Sequence, residues 1–324
     1  MPTIAPIDTG AHVEWAGFIG DTPAFAMTDG ALVLVSGGEK RIEVAGGITC
    51  AALSLDGSAL VTGGENGAVS SISADGATRV VREGTGKWIN ALACGPSGAI
   101  AVAAGKNGTV IPHGGAASDF ACERTIEAIA FAPKGLRIAI ARYNGVELRF
   151  TGTQSPPLFL EWKGAHIGVT FSPDGRFLVS SMQENALHGW RLADNRNMRM
   201  TGYPAKVKSV SWSAKGKWLA SSGAPAAIVW PFSGKDGPMG KAPKELGSMG
   251  QTLVTQVACH PVEDIVAIGY QNGMILAVRI DDGKDAVLRR GGSGAVSALG
   301  WDRAGRRLAF GSESGEAGVV DIAG

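Results

Sequence analysis

One pattern of about 40 residues recurs along the whole chain, and this repetition constrains the fold more than any other feature of the sequence. Each copy has an apolar run, a turn ending in glycine, a second apolar run, a tight turn and a third run. A copy with Glu263-Asp264 at the turn and a divergent first copy ending at Met27 complete the series. The turn glycines that set the register are Gly57, Gly98, Gly135, Gly175, Gly216 and Gly305.

A second marker follows the turn glycine by about ten residues, where two antiparallel strands need a tight reversal. Asn-Gly and Asp-Gly tolerate the positive φ angles of a type I′ turn, so each predicts a hairpin. These pairs are Asp29-Gly30, Asn66-Gly67, Asn107-Gly108, Asn144-Gly145 and Asn272-Gly273.

A unit with three or four short strands cannot bury both faces of its sheet alone, whereas a radial array of such sheets can. We therefore predict an all-β fold, a single closed β-propeller of four-stranded blades over residues 1–324. We count eight blades, with seven as the alternative if the first unit or the unit at 250–292 is irregular. The predicted units are 11–47, 48–86, 87–124, 125–164, 165–204, 205–249, 250–292, and 293–324 together with 1–10.

The two ends of the chain predict how the last blade is completed. The final unit, ending in GEAGVVDIAG, has only three strands, and TIAPID at the N-terminus is an unassigned strand-like segment. Pairing the N-terminal strand with the last unit removes an open sheet edge.

The stretch FSPDGRFLVSS, followed by ENALHGWRL, resembles the WD-repeat β-propeller family, and the resemblance covers nearly the whole chain. It implies that His166, Ser180 or Ser181, and Trp190 brace one blade by hydrogen bonds. The signature Trp-Asp pair reads Trp190-Arg191 here, so the match is degenerate. The literal Trp301-Asp302 ends a first strand instead of a third and is a chance match.

Charge and composition narrow the class of partner. The formal net charge is +1, which provides no large field to hold a polyanion, so we expect no nucleic-acid partner. There is no apolar run of membrane-spanning length and no cationic secretory start, so we expect no membrane partner and a cytoplasmic location. The four cysteines are widely spaced, as expected for reduced thiols. We expect a monomer.

No residue set predicts catalysis, a metal or another cofactor. GKDGPMGKA resembles a phosphate loop, but five residues separate Gly234 from Gly240 where four are required. Cys259 and His260 are adjacent on a predicted strand, so their side chains point to opposite faces and cannot share one ion. We therefore expect a protein that is not an enzyme.

Two surfaces are predicted to bind a protein partner. The first is the top face, formed by the inter-blade turns and the Asn-Gly hairpins. The second is the proline-rich insertion at 231–250, predicted to lie between third and fourth strands. The candidate residues are Lys87, Lys106, Arg142, Tyr143, Gln183, Tyr270 and Gln271 on the top face, and Lys235, Met239 and Lys241 in the insertion.

The resulting hypothesis is a non-enzymatic WD-repeat scaffold for protein–protein interaction, and it depends mainly on fold analogy. The sequence identifies no partner. The alternative is a propeller that binds a ligand or metal, or catalyses a reaction, at the mouth of its central channel.

Overall fold

The computed structural model describes residues 3–153 and 155–322. These residues form strands joined by turns, with one short 3₁₀ turn. The chain divides into two compact units, Met1–Ile42 with Tyr203–Gly324, and Glu43–Gly202. Within the described residues, no helix has both the length and the apolar character needed to cross a membrane.

The first unit contains four sheets of four antiparallel strands each. One sheet consists of β2 (Val13–Ile19), β3 (Thr22–Met27), β4 (Ala31–Val35) and β5 (Glu39–Glu43). The next consists of β20 (Val210–Trp212), β21 (Trp218–Ser221), β22 (Ala227–Pro231) and β23 (Lys244–Leu246). The third consists of β24 (Val254–Cys259), β25 (Ile265–Tyr270), β26 (Met274–Arg279) and β27 (Asp285–Arg290). The fourth consists of β28 (Val296–Trp301), β29 (Arg307–Ser312), β30 (Glu316–Asp321) and β1 (Thr3–Asp8).

The second unit contains three sheets. The first has four strands, β6 (Cys50–Leu53), β7 (Ala59–Gly63), β8 (Val69–Ser73) and β9 (Thr78–Arg82). The second also has four strands, β10 (Ala91–Cys94), β11 (Ile100–Ala104), β12 (Asn107–Ile111) and β13 (Ser118–Ala121). The 3₁₀ turn Pro96–Gly98 joins β10 to β11. The third sheet has six strands: β14 (Ala128–Phe131), β15 (Arg137–Phe150), β16 (Leu158–Phe171), β17 (Phe177–Met182), β18 (Ala186–Arg191) and β19 (Arg196–Met200).

The prediction of eight four-stranded blades is wrong, because the described strands form seven hydrogen-bonded sheets, one of them six-stranded. Counted as sheets, the fold has seven blades. The predicted units 125–164 and 165–204 share the six-stranded sheet because β16 runs for 14 residues across their boundary. Its first part pairs with β15 and its second part pairs with β17, with a register shift between His166 and Gly168. The two units suspected of irregularity, at 11–47 and 250–292, each form a regular four-stranded sheet.

The predicted completion of the last blade is confirmed. Strand β1 pairs antiparallel with β30, from Thr3 opposite Asp321 to Asp8 opposite Glu316. Ile7 is buried in a cluster that also holds Val13 and Phe25. The N-terminal strand therefore contributes hydrogen bonds and apolar contacts to the sheet that contains the C-terminal strands.

The innermost strands carry small hydroxyl side chains that bond to the next sheet. Thr255 donates to the Val296 carbonyl at 2.7 Å, and Ser297 donates to the Val13 carbonyl at 2.6 Å. In the second unit, Thr49 donates to the Ile89 carbonyl at 2.6 Å. Within each unit, short hydroxyl side chains at or just before the inner strands therefore join these three pairs of neighbouring sheets by hydrogen bonds.

Candidate functional site

The side chain of Asn90 joins three separate segments at one edge of the second unit. Its amide nitrogen donates to the Ile126 carbonyl at 2.5 Å, and its amide oxygen accepts from the Gly105 backbone N–H at 2.8 Å. Backbone bonds from Cys122 to the Lys106 carbonyl and from Ile126 to the Gly105 carbonyl reinforce this link. The segment before β10, the β11–β12 turn and the segment before β14 therefore present one continuous surface.

Trp88 is the most prominent apolar side chain of this surface. It is 57% exposed, while the adjacent Ile89 is fully buried and anchors the segment through its backbone N–H to Gly64. Tryptophan side chains are usually highly buried, so one exposed on an anchored segment is informative. Lys87 precedes it and Lys106 lies in the β11–β12 turn; both are exposed, and neither ammonium has an ion-pair partner among residues 3–153 and 155–322.

Tyr143 and Gln183 lie together further along the same unit. Tyr143 is 50% exposed and pairs across the sheet with Ala165. The carbonyl of Ala165 accepts a hydrogen bond from the Gln183 backbone N–H at 2.9 Å, and Gln183 is exposed. The chain reverses its direction inside β15, beside Tyr143, since Asn144 has a φ of 67° and the Thr151 backbone N–H donates to the Leu136 carbonyl.

Arg142 differs from its neighbours because it is only 8% exposed. Its guanidinium lies 4.1 Å from the centre of the Phe159 ring, 3.7 Å from the Glu147 carboxylate and 3.9 Å from the Glu123 carboxylate. Its Nε has no hydrogen-bond partner in the described part of the chain. The Glu147 carboxylate instead accepts from the Nε of Arg149 at 2.5 Å. Arg142 is therefore held by a cation–π contact with Phe159 and by ion pairs with Glu147 and Glu123.

We call Lys87, Trp88, Lys106, Arg142 and Tyr143 the Trp88 surface. A cleft of about 690 Å³ opens beside Lys87, with Arg82, Asn107 and Phe120 among its lining residues. The neighbouring Cys122 is not an activated nucleophile, because burial, and then the Glu147 carboxylate, raise the pKa of its thiol to about 11. The chemistry that this surface offers is contact area, cationic charge and hydrogen-bond donors.

The sequence analysis assigned Lys87 to the interaction surface but not Trp88, the next residue in the chain. The signal that could have identified it is a large aromatic residue inside a polar Gly-rich turn, GTGKWIN, where no strand needs it.

The other predicted top-face residues lie in the first unit. Tyr270 is fully buried, its hydroxyl donates to the Gly247 carbonyl, and burial raises its pKa. Gln271 is exposed and lines a separate cleft with Lys206 and Glu313. Tyr270 therefore offers no accessible surface for a partner in this structure, whereas Gln271 does.

Residues 232–243 of the insertion lie between β22 and β23, as the sequence predicts, while Lys244–Leu246 form β23 itself. The segment between the two strands is folded against itself. The Lys241 ammonium donates to the Ser233 carbonyl at 2.7 Å, and the Met239 backbone N–H bonds to Asp236. Lys235 is exposed and Met239 is half-buried. Its role in binding stays a prediction.

The His166–Ser180 part of the bracing network implied by the resemblance is present and uses Ser180, not Ser181, whereas Trp190 contacts the rings of His166 and His188. His166 Nδ1 lies 2.7 Å from the Ser180 hydroxyl, which in turn donates to the His188 carbonyl at 3.2 Å. The fully buried His188 stacks on Trp162 with ring centres 3.9 Å apart. Neither ring nitrogen of His188 has a hydrogen-bond partner among the described residues.

A second network was missed by sequence reasoning because tyrosine replaces histidine. The Tyr203 hydroxyl lies 2.7 Å from the Ser221 hydroxyl and accepts from Trp230 Nε1 at 2.7 Å. The Ser221 hydroxyl also lies 2.9 Å from the Ile228 carbonyl. Ser221 and Trp230 repeat the positions of Ser180 and Trp190 on the second and third strands of their run, whereas Tyr203 lies in the segment before β20 and not on a strand.

Cys259 and His260 have separate structural roles. Cys259 Sγ contacts the Ser211 carbonyl at 3.3 Å, and His260 Nδ1 accepts backbone N–H groups from Val262 and Glu263. Among residues 3–153 and 155–322, no group of three or more His, Cys, Asp or Glu residues is arranged to hold a metal ion.

Comparison with known families and proteins gives a family model that matches a short stretch of the chain and a relative that matches about half of it. The family model for the WD domain, G-beta repeat, matches residues 195–230, the stretch that contains the Tyr203 network. Telomerase protein component 1 of Rattus norvegicus is 26% identical over 185 residues, which is 55% of this chain. The match spans only 7% of that relative's length.

Three solved structures are similar over most of the chain. The computationally designed Ika8 protein has a TM-score of 0.79 at 18% identity, covering 97% of this chain and 98% of its own. The C-terminal WD40 domain of Sif2 has a TM-score of 0.77 at 14% identity, covering 99% of each chain. The β-propeller domain of Myceliophteria thermophila Cps50 (Swd1) has a TM-score of 0.67 at 15% identity, covering 85% of this chain and 97% of its own. These likenesses show the fold.

Proposed function

We propose that this chain, which belongs to the WD40-repeat β-propeller family, is a non-enzymatic scaffold that binds a protein partner through the Trp88 surface. Proteins of this family typically act as interaction scaffolds, and that general role is the starting point. The observation that carries the specific proposal is the 57% exposure of Trp88 on a segment that Asn90 holds in place.

The residue types support this assignment. Tryptophan, tyrosine and arginine are the residues most enriched among those that dominate binding energy at protein interfaces. Here Trp88 and Tyr143 are exposed, whereas Arg142 is only 8% exposed and contributes positive charge beneath the surface. Because hydrogen bonds already fix the segments, the surface loses little conformational entropy on binding.

Charge then restricts the partner. Lys87 and Lys106 are exposed and their ammonium groups lack ion-pair partners in the described ranges. Acidic side chains around an apolar anchor would complement this arrangement, and such complementarity mainly raises the association rate and selects the partner. We therefore propose a partner that presents apolar residues flanked by carboxylates.

The test is quantitative affinity capture with the intact chain and a Trp88→Ala/Tyr143→Ala double variant. We expect recovery of a specific partner from native lysate to fall at least about tenfold, which corresponds to about 1.4 kcal/mol of binding free energy. The matched control is Val262→Ala, because Val262 is 61% exposed and lies in the first unit. Equal recovery by the double variant, with unfolding midpoints unchanged, would reject the Trp88 surface as the binding site.

A further arm tests the insertion, which we propose as a secondary contact. Replacing residues 234–240 with a Gly-Ser segment of the same length removes Lys235 and Met239 but leaves β23 intact. If this variant loses the partner and the Trp88→Ala/Tyr143→Ala variant keeps it, the binding site is the insertion and not the Trp88 surface.

A further inference from the structure

A second cleft, of about 730 Å³, lies within the first unit and is separate from the Trp88 surface. Residues of β24 and β28, the first strands of two of its sheets, form the floor. The hydroxyls of Thr255 and Ser297 line this cleft, and both already donate to carbonyls of the next sheet. The two floor hydroxyls therefore already donate hydrogen bonds within the protein. The side chains that remain available to bind a ligand are those of the walls.

The walls carry six charged or amide side chains. The two lysines, Lys206 and Lys208, precede β20. Gln256 lies on β24 and Gln271 follows β25. Glu14 lies on β2 and Glu313 follows β29. Val207 is fully buried, so Lys206 and Lys208 lie on either side of an anchored residue and both are exposed. Among residues 3–153 and 155–322, the one ion pair that involves these charges is the weak contact of 3.8 Å between His12 and Glu14.

These side chains are ordered by charge across the cleft. Ser209, beside Lys208, bonds to Val257 on β24; Thr255 on β24 bonds to β28; and Ser297 on β28 bonds to β2. The sheets therefore follow one another in the order β20, β24, β28, β2. Along this order the cleft changes from two lysines, through two glutamines, to two glutamates.

This arrangement has an energetic consequence. Each charged end of the cleft attracts a ligand group of opposite charge. The glutamine amides between the charged ends each offer donors and an acceptor, which is the hydrogen-bonding pattern of a peptide backbone. The cleft thus suits an elongated ligand that is negative at one end, amide-rich in its middle and positive at the other end.

We propose that this cleft binds an extended peptide segment with an acidic residue near one end and a basic residue near the other. The acidic residue lies against Lys206 and Lys208, and the basic residue lies against Glu14 and Glu313. The polarity of the cleft fixes the direction of the peptide. This proposal does not depend on the Trp88 surface, which lies in the other unit.

The experiment uses the full chain, immobilised and exposed to a displayed library of random 12-residue peptides. We expect the enriched peptides to share one acidic and one basic position at a constant separation. Their affinity, measured by fluorescence anisotropy on synthetic copies, falls at least about tenfold in a Lys206→Glu/Lys208→Glu/Glu14→Lys/Glu313→Lys variant, whose net charge is unchanged. Raising the ionic strength also weakens binding, since salt screens exposed charges.

Two control variants establish whether the peptides bind in the cleft itself. Lys215→Glu/Glu245→Lys exchanges two exposed charges outside the cleft and should bind the selected peptides unchanged. Trp88→Ala should also leave peptide affinity unchanged, so failure of one proposal is distinguishable from failure of the other. Absence of enrichment, enrichment of peptides with one sign of charge, or equal affinity for the charge-exchanged variant would each overturn the proposal.

Discussion

The indole N–H of Trp230 donates a 2.7 Å hydrogen bond to the hydroxyl of Tyr203, and both side chains are buried. The same hydroxyl lies 2.7 Å from Ser221. Burial raises the pKa of Tyr203 to about 12, so the hydroxyl stays protonated and can donate as well as accept. Tyr203 therefore connects a tryptophan on β22 to a serine on β21.

Replacing Tyr203 with phenylalanine removes this connection without removing the ring. Trp230 Nε1 is then left without its partner in a buried site, and an unsatisfied buried donor costs about 1–3 kcal/mol. We expect the free energy of unfolding, measured by urea denaturation, to fall by that amount. Tyr143→Phe is the control, because Tyr143 is 50% exposed and should change stability by less than about 0.5 kcal/mol.

His188 predicts a pH dependence of stability. Burial, and then the nearby His166 and Arg199, lower the pKa of His188 to about 3 from its ordinary 6.5. Between these pH values the unfolded chain binds more protons than the folded one, so the free energy of unfolding falls as pH decreases from about 6.5 towards 3. Burial also lowers the pKa of His166, which contributes in the same direction.

A His188→Phe variant tests this assignment. It keeps an aromatic ring against Trp162 but cannot be protonated, so the slope of stability against pH between 6.5 and 4.5 should decrease. Burial alone would raise the pKa of Asp302, but hydrogen bonds from Arg307 and Arg306 outweigh it and lower that pKa, so such carboxylates lose their contribution to stability at more acidic pH. An unchanged slope in the variant would show that other groups cause the acid sensitivity.

Ser297 tests the hydroxyl bonds between inner strands. Ser297→Ala removes the 2.6 Å bond to the Val13 carbonyl, and a typical intramolecular hydrogen bond contributes about 1 kcal/mol. We expect a loss of about that size in chemical denaturation. Ser248→Ala, at an exposed position between strands, should have no measurable effect; equal losses for both variants would contradict the role assigned to Ser297.

The N-terminal strand offers a matched pair of isoleucines. Ile7 is 8% exposed and belongs to an apolar cluster, whereas Ile4 on the same strand is 36% exposed. Ile7→Ala should cost about 2–4 kcal/mol because it leaves a cavity, and Ile4→Ala should cost less than about 1 kcal/mol. Thermal unfolding of the two variants measures the difference, and similar midpoints would argue against a packed β1.

The repeat pattern predicted most of the strands because alternating apolar residues and turn glycines are local signals. All six turn glycines adopt positive φ, for example 69° at Gly57 and 71° at Gly305. The Asn107-Gly108 pair predicted a turn at its own position. The turn lies instead at Gly105 and Lys106, before β12 begins. Local propensity indicates that a reversal is near, but the pairing of Ala104 with Asn107 sets where it occurs.

The number of sheets and the shape of the candidate sites could not be predicted from the sequence, because both depend on contacts between residues distant in the chain. Whether β16 breaks at the unit boundary depends on hydrogen bonds between strands, and the boundary residues Gly164 and Ala165 carry no signal for that continuity. The burial of Arg142 and Tyr270, both expected at the surface, likewise follows from neighbours distant in sequence, Phe159 and Gly247.

The passage of β16 from one repeat to the next also affects the motions of the second unit. Residues 158–171 are continuous strand, so no loop separates the part of β16 that pairs with β15 from the part that pairs with β17. Opening one of these repeats must therefore disturb the hydrogen bonds of the other, and local opening generally occurs in contiguous cooperative segments. The backbone amides of residues 128–200 should exchange with solvent together, as one element twice the size of an ordinary repeat.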